Sequence, residues 1–246
     1  MRPLNLNEVR LFVEKNIGDF HARRLEKLQK LKLKQVLKRK NPYLFKATNV
    51  GTGQELVQGI LDAYLSSQEE TLFGQFIEEL AIFVAQEVYD GHKSTAEGID
   101  LEFRKNGVYY IVSIKSGPNW GNSSQIQRLK RNFTQATRRL RQNAQVNNIV
   151  AVNGCCYGQD NRPDKGDYLK LCGQNFWEFV SGNKDLYIDI IEPLGHQAKE
   201  RDIAFKDEYA RIINKFTMDF MMEFSTDGVI DWEKLVIFNS EAKQRG

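Results

Sequence analysis

Two short apolar segments joined by an Asn-Gly turn signal constrain the fold of this 246-residue chain more than any other feature. Asp100 precedes the apolar part of the first segment, and Lys115 ends the second. Asn106 and Gly107, which lie between the segments, are residues that tight β-hairpin turns favour. The sequence therefore predicts two antiparallel strands that bring Asp100 and Lys115 together at one end of a sheet.

The residues around Lys115 have the chemistry of a hydrolytic site. Period-2 alternation places Ser113 beside Lys115 on one face of the strand. The Asp100 carboxylate can ligate a divalent metal such as Mg²⁺, which polarises a phosphoryl oxygen and acidifies a bound water. Lys115 would steady that water and the developing negative charge. The pattern predicts a site that cuts a phosphodiester, although either residue alone is more often an ordinary surface charge.

An aspartate, a spacer of roughly a dozen residues and a lysine at the end of an apolar strand resemble the PD-(D/E)XK nuclease signature. Ile99 replaces the proline of that signature, and Ser113 replaces its second acid. The resemblance implies an α/β fold, in which a nuclease core with a central mixed β-sheet flanked by helices is preceded by a helical N-terminal region. Ser113 is then expected to take the vacated carboxylate position and to hydrogen-bond water or metal-bound solvent.

A substitute for the missing acid is expected on the helix before the strands, as in other members of that superfamily. Apolar residues between 73 and 84 recur at the spacing of a buried helix, and Glu78 and Glu79 flank this stripe. The resemblance favours Glu78 as the ligand that completes the metal site with Asp100. Glu79 and Glu102 remain alternatives, the latter because it shares a strand face with Asp100.

Four further strings, residues 41–47, 98–103, 115–125 and 172–177, supply a second pattern. They resemble one branch of the type II restriction endonucleases, the branch associated with targets of the GG-N-CC kind. This implies Mg²⁺-dependent, sequence-specific double-strand cleavage of DNA at a short palindrome, with a DNA methyltransferase as functional partner. Two sites that cut the two strands of a palindrome predict a homodimer. The resemblance covers roughly residues 12 to 182.

Charge is distributed unevenly along the chain. Residues 103–159 include no Asp or Glu, and the net charge of only +3 conceals this basic segment. A helix predicted from Gln125 to Ala144 carries much of its positive charge opposite an apolar stripe. Such a surface attracts the phosphates of nucleic acids. In the restriction endonucleases that the chain resembles, this helix lies near the DNA backbone. The resemblance therefore implies that Arg128, Lys130 and Arg131 contact phosphates.

The polar loop after Lys115 is the best candidate for reading bases. Its side chains offer hydrogen-bonding edges to a DNA groove, although an ordinary connecting loop has a similar composition. Lys or Arg residues between 38 and 46 are a second candidate for contacts to guanine. The loop residues expected to contact DNA are Asn119, Trp120, Asn122, Ser123, Ser124 and Gln125.

The sequence predicts a helical N-terminal region, residues 1–70, for dimerisation or DNA contact, followed by a catalytic core with C-terminal helices, residues 71–246. Apolar periodicity predicts helices over 6–37 and 53–66, from about 69, and over 203–224. Strands are predicted over 98–103, 108–115, 147–153 and 186–192.

Other features exclude several classes of protein. Cys155, Cys156 and Cys172 lack the spacing of a zinc site and are expected to be free thiols. No targeting signal or membrane-length apolar run is visible, so a cytoplasmic location is expected. Two other functions remain open: a repair or recombination nuclease that recognises DNA structure, and a catalytically inactive DNA-binding protein.

Overall fold

The computed structural model describes residues 2–143 and 146–242. The chain forms two compact units. The sheet unit consists of residues up to 18 together with 73–196, and the helical unit consists of 19–72 together with the residues from 197 onward. The predicted roles of residues 1–70 in dimerisation or DNA contact and of residues 71–246 as a catalytic core stay predictions.

The secondary structure is mostly helical. No described helix is both long and apolar enough to cross a membrane. The helices are α1 (Leu6–Gln29), α2 (Leu33–Leu37), α3 (Pro42–Ala47), α4 (Gly53–Tyr89), α5 (Ser123–Asn143), α6 (Gln174–Ser181), α7 (Leu186–Asp189), α8 (Ile191–Leu194), α9 (Ala198–Phe224) and α10 (Trp232–Ser240). The strands are β1 (His92–Lys93), β2 (Leu101–Lys105), β3 (Val108–Lys115), β4 (Ile149–Cys155), β5 (Leu169–Cys172), β6 (Ser225–Thr226) and β7 (Val229–Ile230).

A five-stranded mixed sheet with the order β1-β2-β3-β4-β5 organises the sheet unit. The strands β1, β2 and β3 pair antiparallel, whereas β3, β4 and β5 pair parallel. The connection between the parallel strands β3 and β4 contains α5, as expected for a crossover. The prediction of an α/β fold with a mixed sheet and flanking helices is confirmed.

The predicted hairpin between β2 and β3 is also present. Leu101 pairs with Val112, and Lys105 pairs with Val108. Asn106 and Gly107 have φ angles of 52° and 78°, so both occupy the left-handed region that this tight turn requires. The turn fixes the register of the pair and thereby brings the start of β2 close to the end of β3.

Helix α4 is longer than predicted. A break was expected between residues 66 and 69, but one helix runs continuously from Gly53 to Tyr89. The two serines at 66 and 67 do not end it, because a helix interior tolerates serine with only a modest loss of stability. Buried residues Leu61, Leu65 and Leu72 continue the apolar stripe on both sides of the expected break.

The strand predicted over 186–192 is wrong, because this segment forms α7 and α8. Its apolar residues alternate in sequence, but only Leu186 and Ile190 are buried, whereas Ile188 and Ile191 are exposed. A separation of four residues between the two buried side chains fits one helical turn. The shorter period-2 pattern was therefore accidental.

Between residues 6 and 37 the predicted helical region is interrupted once, between α1 and α2. The Asn41-Pro42 dipeptide then begins a new helix. Asn41 Oδ1 accepts a hydrogen bond from Tyr43 N over 3.0 Å, and Pro42 occupies the first turn of α3. The prediction of a helix over 203–224 is confirmed by α9.

The two faces of the sheet are covered by different side chains. On one face, Ile111 packs with Leu129 and Phe133 of α5, which are 5% and 3% exposed. On the other, the ring of Phe103 stacks on Tyr89 from α4, with centroids 5.1 Å apart. The end of β3 that carries Lys115 is thus held between packed layers.

Candidate active site

Asp100 and Lys115 meet at the predicted end of the sheet. The Lys115 Nζ atom lies 3.8 Å from Asp100 Oδ2. The same carboxylate oxygen accepts a hydrogen bond of 2.6 Å from the backbone N–H of Ile114. Asp100 N also donates to Val112 O over 2.8 Å, so both the main chain and the side chain of Asp100 are fixed to β3. About a fifth of the Asp100 side chain and a third of the Lys115 side chain are exposed, 22% and 33%.

Ser113 connects these two side chains. Lys115 Nζ donates to Ser113 Oγ over 3.2 Å, and Ser113 Oγ donates to Asp100 Oδ2 over a long 3.4 Å. Lysine can only donate and an ionised aspartate can only accept, so the direction of this chain of contacts is fixed. Ser113 is buried, at 1% exposure, and its role in binding water or metal-bound solvent stays a prediction.

Glu78 lies within electrostatic reach of the same group. Burial raises the pKa of Glu78, the negative charge of Asp100 raises it further, and Lys93 and Lys115 oppose that rise. Lys93 Nζ is 3.7 Å from Glu78 Oε1. Helix α4 therefore brings a second carboxylate close to Asp100, as expected for the favoured candidate. The role of Glu78 as a metal ligand stays a prediction.

The two alternative glutamates have different surroundings. Glu79 is exposed on α4. Glu102 is only 7% exposed and accepts hydrogen bonds from Ser94 Oγ and from Tyr109 Oη, the latter over 2.6 Å. Burial, together with the hydrogen bond to Glu102, raises the pKa of Tyr109. Glu102 is therefore engaged in a buried hydrogen-bond network.

The side chains of Asp100 and Glu78 fit a hard divalent cation. Their oxygens are the ligands that Mg²⁺ prefers, and a bound cation would relieve the repulsion from Asp100 that adds to the effect of burial on the pKa of Glu78. Within residues 2–143 and 146–242, no group of three or more His, Cys, Asp or Glu side chains is gathered as a metal site. Mg²⁺ commonly binds through one or two carboxylates and keeps several waters.

The loop after β3 is fixed to strands β4 and β5. Trp120 Nε1 donates to Asn153 Oδ1 over 3.0 Å, and Lys170 Nζ donates to Pro118 O over 2.9 Å. The Trp120 ring also faces Lys115, whose Nζ lies 5.4 Å from the ring centroid. The indole N–H of Trp120 is thus engaged within the protein, and the predicted contact of Trp120 with DNA stays a prediction.

Two other predicted base-reading residues form the N-terminal cap of α5. Asn122 N donates to Gln125 Oε1 over 2.8 Å, and Gln125 N donates to Asn122 Oδ1 over 3.1 Å. This reciprocal pair is a capping box, which stabilises the helix start. Asn119, Ser123 and Ser124 are exposed. Their contact with DNA, and that of Asn122 and Gln125, stays a prediction.

Helix α5 has the predicted amphipathic form, although Ala144, its predicted end, lies outside the described residues. Acidic residues from outside the basic segment neutralise part of its charge. Arg128 pairs with Glu97 over 2.6 Å, and Lys130 pairs with Asp167 over 2.8 Å. Arg131 is exposed. The phosphate contacts predicted for Arg128, Lys130 and Arg131 stay predictions.

The cysteines are free, as expected. Cys155 and Cys172 are buried, and burial raises the pKa of the Cys155 and Cys156 thiols, which disfavours the thiolate form that binds metals. Cys156 N donates to Lys115 O over 3.0 Å, so Cys156 contributes to the site through its backbone.

Sequence reasoning missed Asn153. This residue is 1% exposed in β4, and its Nδ2 donates to Ser113 O over 3.1 Å while its Oδ1 accepts from Trp120. The available signal was an amide placed directly after the four apolar residues 149–152 of the predicted strand, because a buried polar side chain requires partners.

Comparison with known proteins identifies the family. Residues 7–202, about four fifths of the chain, match the model of the family described as "Type II restriction endonuclease EcoO109I". A search of curated proteins gave no match. The matched segment includes the strand pair, the polar loop and the basic helix α5. The chain therefore belongs to the family of type II restriction endonuclease EcoO109I, a family of nucleases that act on DNA.

Proposed function

We propose that the protein is a Mg²⁺-dependent type II site-specific deoxyribonuclease of the PD-(D/E)XK superfamily. The observation that carries this proposal is the placement of Lys115 Nζ 3.8 Å from Asp100 Oδ2, with Glu78 in electrostatic reach of both. A lysine beside a pair of carboxylates at a sheet end supplies the groups that hydrolysis of a phosphodiester requires.

Each side chain has a distinct role in the proposed mechanism. Asp100 and Glu78 would hold Mg²⁺, which when bound acidifies a water and polarises the scissile phosphate. Lys115 would orient the attacking water and stabilise the negative charge that develops on the phosphate. Ser113 would hold Lys115 and hydrogen-bond solvent, in the position where the superfamily has a second acid.

The proposed substrate is double-stranded DNA with a short palindrome of the GG-N-CC type. Cleavage of both strands at a palindrome favours a homodimer, and a methyltransferase that modifies the same sequence would protect host DNA. Exposed Asn119, Ser123 and Ser124 lie beside the site and supply hydrogen-bonding groups for a groove. Exposed Arg131 supplies a charge for the phosphate backbone.

Cleavage of unmethylated phage DNA tests this proposal. Purified protein is incubated with Mg²⁺ or with EDTA, beside the Asp100→Asn variant, and fragment ends are sequenced. Metal-dependent ends that share one palindrome are expected, and a GG-N-CC core would identify the site. Cuts at junctions or damaged DNA without a shared sequence would instead support a structure-directed nuclease.

Ser113 gives a specific reason to consider a catalytically inactive DNA-binding protein, since a hydroxyl cannot supply the charge of the missing carboxylate. Retained DNA binding without cleavage, in Mg²⁺ and in Mn²⁺, would favour this second function. Cleavage that disappears in Lys115→Ala while binding persists would exclude it.

A further inference from the structure

Trp120 is oriented by one buried amide that also contacts the strand of the active site. Asn153 Oδ1 accepts from Trp120 Nε1 over 3.0 Å, and Asn153 Nδ2 donates to Ser113 O over 3.1 Å. The indole N–H is only a donor and the carbonyl only an acceptor, so the amide of Asn153 fits in a single orientation. Asn153 therefore ties the loop that carries Trp120 to β3 at Ser113.

The Trp120 ring completes the surroundings of the Lys115 ammonium group. Lys115 Nζ donates to Ile114 O over 2.7 Å and to Ser113 Oγ over 3.2 Å. The ring centroid of Trp120 lies 5.4 Å from the same nitrogen, within the range of a cation–π contact. A lysine side chain otherwise samples many rotamers, and each contact reduces that freedom.

We propose that Trp120, oriented by Asn153, is a positioning residue that holds the Lys115 ammonium group in place for cleavage. This inference rests on the proposed nuclease function. Trp120 acts through Lys115 and leaves base recognition to exposed residues such as Asn119. The effect on catalysis follows because small displacements of a catalytic group cause large losses of rate.

Two substitutions at Trp120 separate positioning from base reading. Trp120→Leu removes the aromatic face, whereas Trp120→Phe keeps a smaller aromatic ring and loses both the fused second ring and the N–H that donates to Asn153. The single-turnover cleavage rate in Mg²⁺ is compared with the affinity for DNA in Ca²⁺. Both are measured on a duplex that contains the sequence cut by the wild-type protein, the affinity by fluorescence anisotropy. Asn119→Ala, in the same loop but exposed, is the matched variant for loss of a DNA contact.

We expect Trp120→Leu to reduce the single-turnover rate by about 2- to 30-fold, the range of a cation–π contact, with affinity changed less than about twofold. Trp120→Phe is expected to recover only part of that loss, because it restores an aromatic face but not the hydrogen bond to Asn153 that orients it. Asn119→Ala should instead weaken affinity. A loss of affinity in Trp120→Leu large enough to account for its loss of rate, or an unchanged rate, would overturn the proposal.

An NMR measurement is independent of cleavage. The ¹⁵N-indole resonance of Trp120 is expected to shift in Asn153→Ser, which removes the amide acceptor, and in Lys115→Met, which removes the cation above the ring. If the wild-type protein cuts no DNA, the proposed function fails, and the resonance alone tests the contacts. An indole signal unchanged by both substitutions would overturn the positioning role.

Discussion

Substitution of Asp100 by alanine and by asparagine separates its structural role from its proposed catalytic role. The buried Ile114 N–H donates to Asp100 Oδ2 over 2.6 Å. A hydrogen bond to a charged group contributes about 1.5–3 kcal/mol, and a buried donor left without a partner costs about 1–3 kcal/mol. Asp100→Ala removes the acceptor and is expected to lower the free energy of unfolding by about 2 kcal/mol.

Asp100→Asn is expected to cost less stability, below about 1 kcal/mol, because its amide oxygen can still accept from Ile114. This variant also removes the negative charge that raises the pKa of Glu78, which offsets part of the loss. For a chain of this size, 1 kcal/mol corresponds to a Tm change of about 2–4 °C. The expected Tm decrease is therefore about 4–8 °C for alanine and less than about 4 °C for asparagine.

Differential scanning fluorimetry and plasmid cleavage are measured on the same preparations. Both variants are expected to lose at least about 100-fold in cleavage rate, since neither retains the carboxylate. Equal Tm decreases would contradict this reasoning, because the asparagine oxygen would then preserve no more stability than alanine does. An asparagine variant that cleaves within about tenfold of the wild type would refute Asp100 as a metal ligand.

The remaining predictions address charge. The folded protein holds a proton on Glu78 more tightly than the unfolded chain does, because the pKa of Glu78 is raised above its usual value of 4.5. The contribution of protonated Glu78 to the free energy of unfolding is complete below pH 4.5 and is lost as the pH rises through the raised pKa. Glu78→Gln carries no charge at any pH, so its Tm should exceed that of the wild type at pH 8, and the difference should vanish towards pH 4. Lys115→Ala should lose cleavage by at least about 100-fold and retain DNA binding, as measured by anisotropy. Arg131→Ala should reduce the slope of log affinity against log salt by about 0.9 if Arg131 contacts one phosphate. Glu97→Gln releases Arg128 from its ion pair and should strengthen DNA binding at low salt; unchanged affinity would mean that Arg128 contacts no phosphate.

The elements that were predictable from sequence have strong and long periodic patterns. The hairpin combines period-2 alternation with the turn residues Asn106 and Gly107, both of which adopt positive φ angles in the structure. Helix α5 repeats its apolar stripe over several turns. The short helices α7 and α8 were misread because four residues present too little of either period. The continuity of α4 was missed, although buried residues on either side of the expected break continue the apolar stripe.

The candidate site was predictable only where its residues lie on adjacent strands. Asp100 and Lys115 follow from the hairpin register, whereas the orientation of Trp120 depends on Asn153 in a different strand. No local pattern contains that pairing. The capping box of Asn122 and Gln125 was readable, since their spacing is that of an N-cap and the third helical residue. Their polar side chains were instead assigned to base recognition.

Ser113 leaves β3 without a second negative charge beside Asp100, and the neighbouring carboxylates explain why a neutral residue fits there. Asp100 and Glu78 already repel each other enough to contribute to the raised pKa of Glu78. A third carboxylate at the buried position 113 would add desolvation and repulsion, whereas the Ser113 hydroxyl accepts from Lys115 and donates to Asp100 without adding charge. The second negative charge is thereby supplied by α4 and not by β3. In the proposed mechanism, metal binding depends on Glu78 more strongly than it would if β3 carried its own acid.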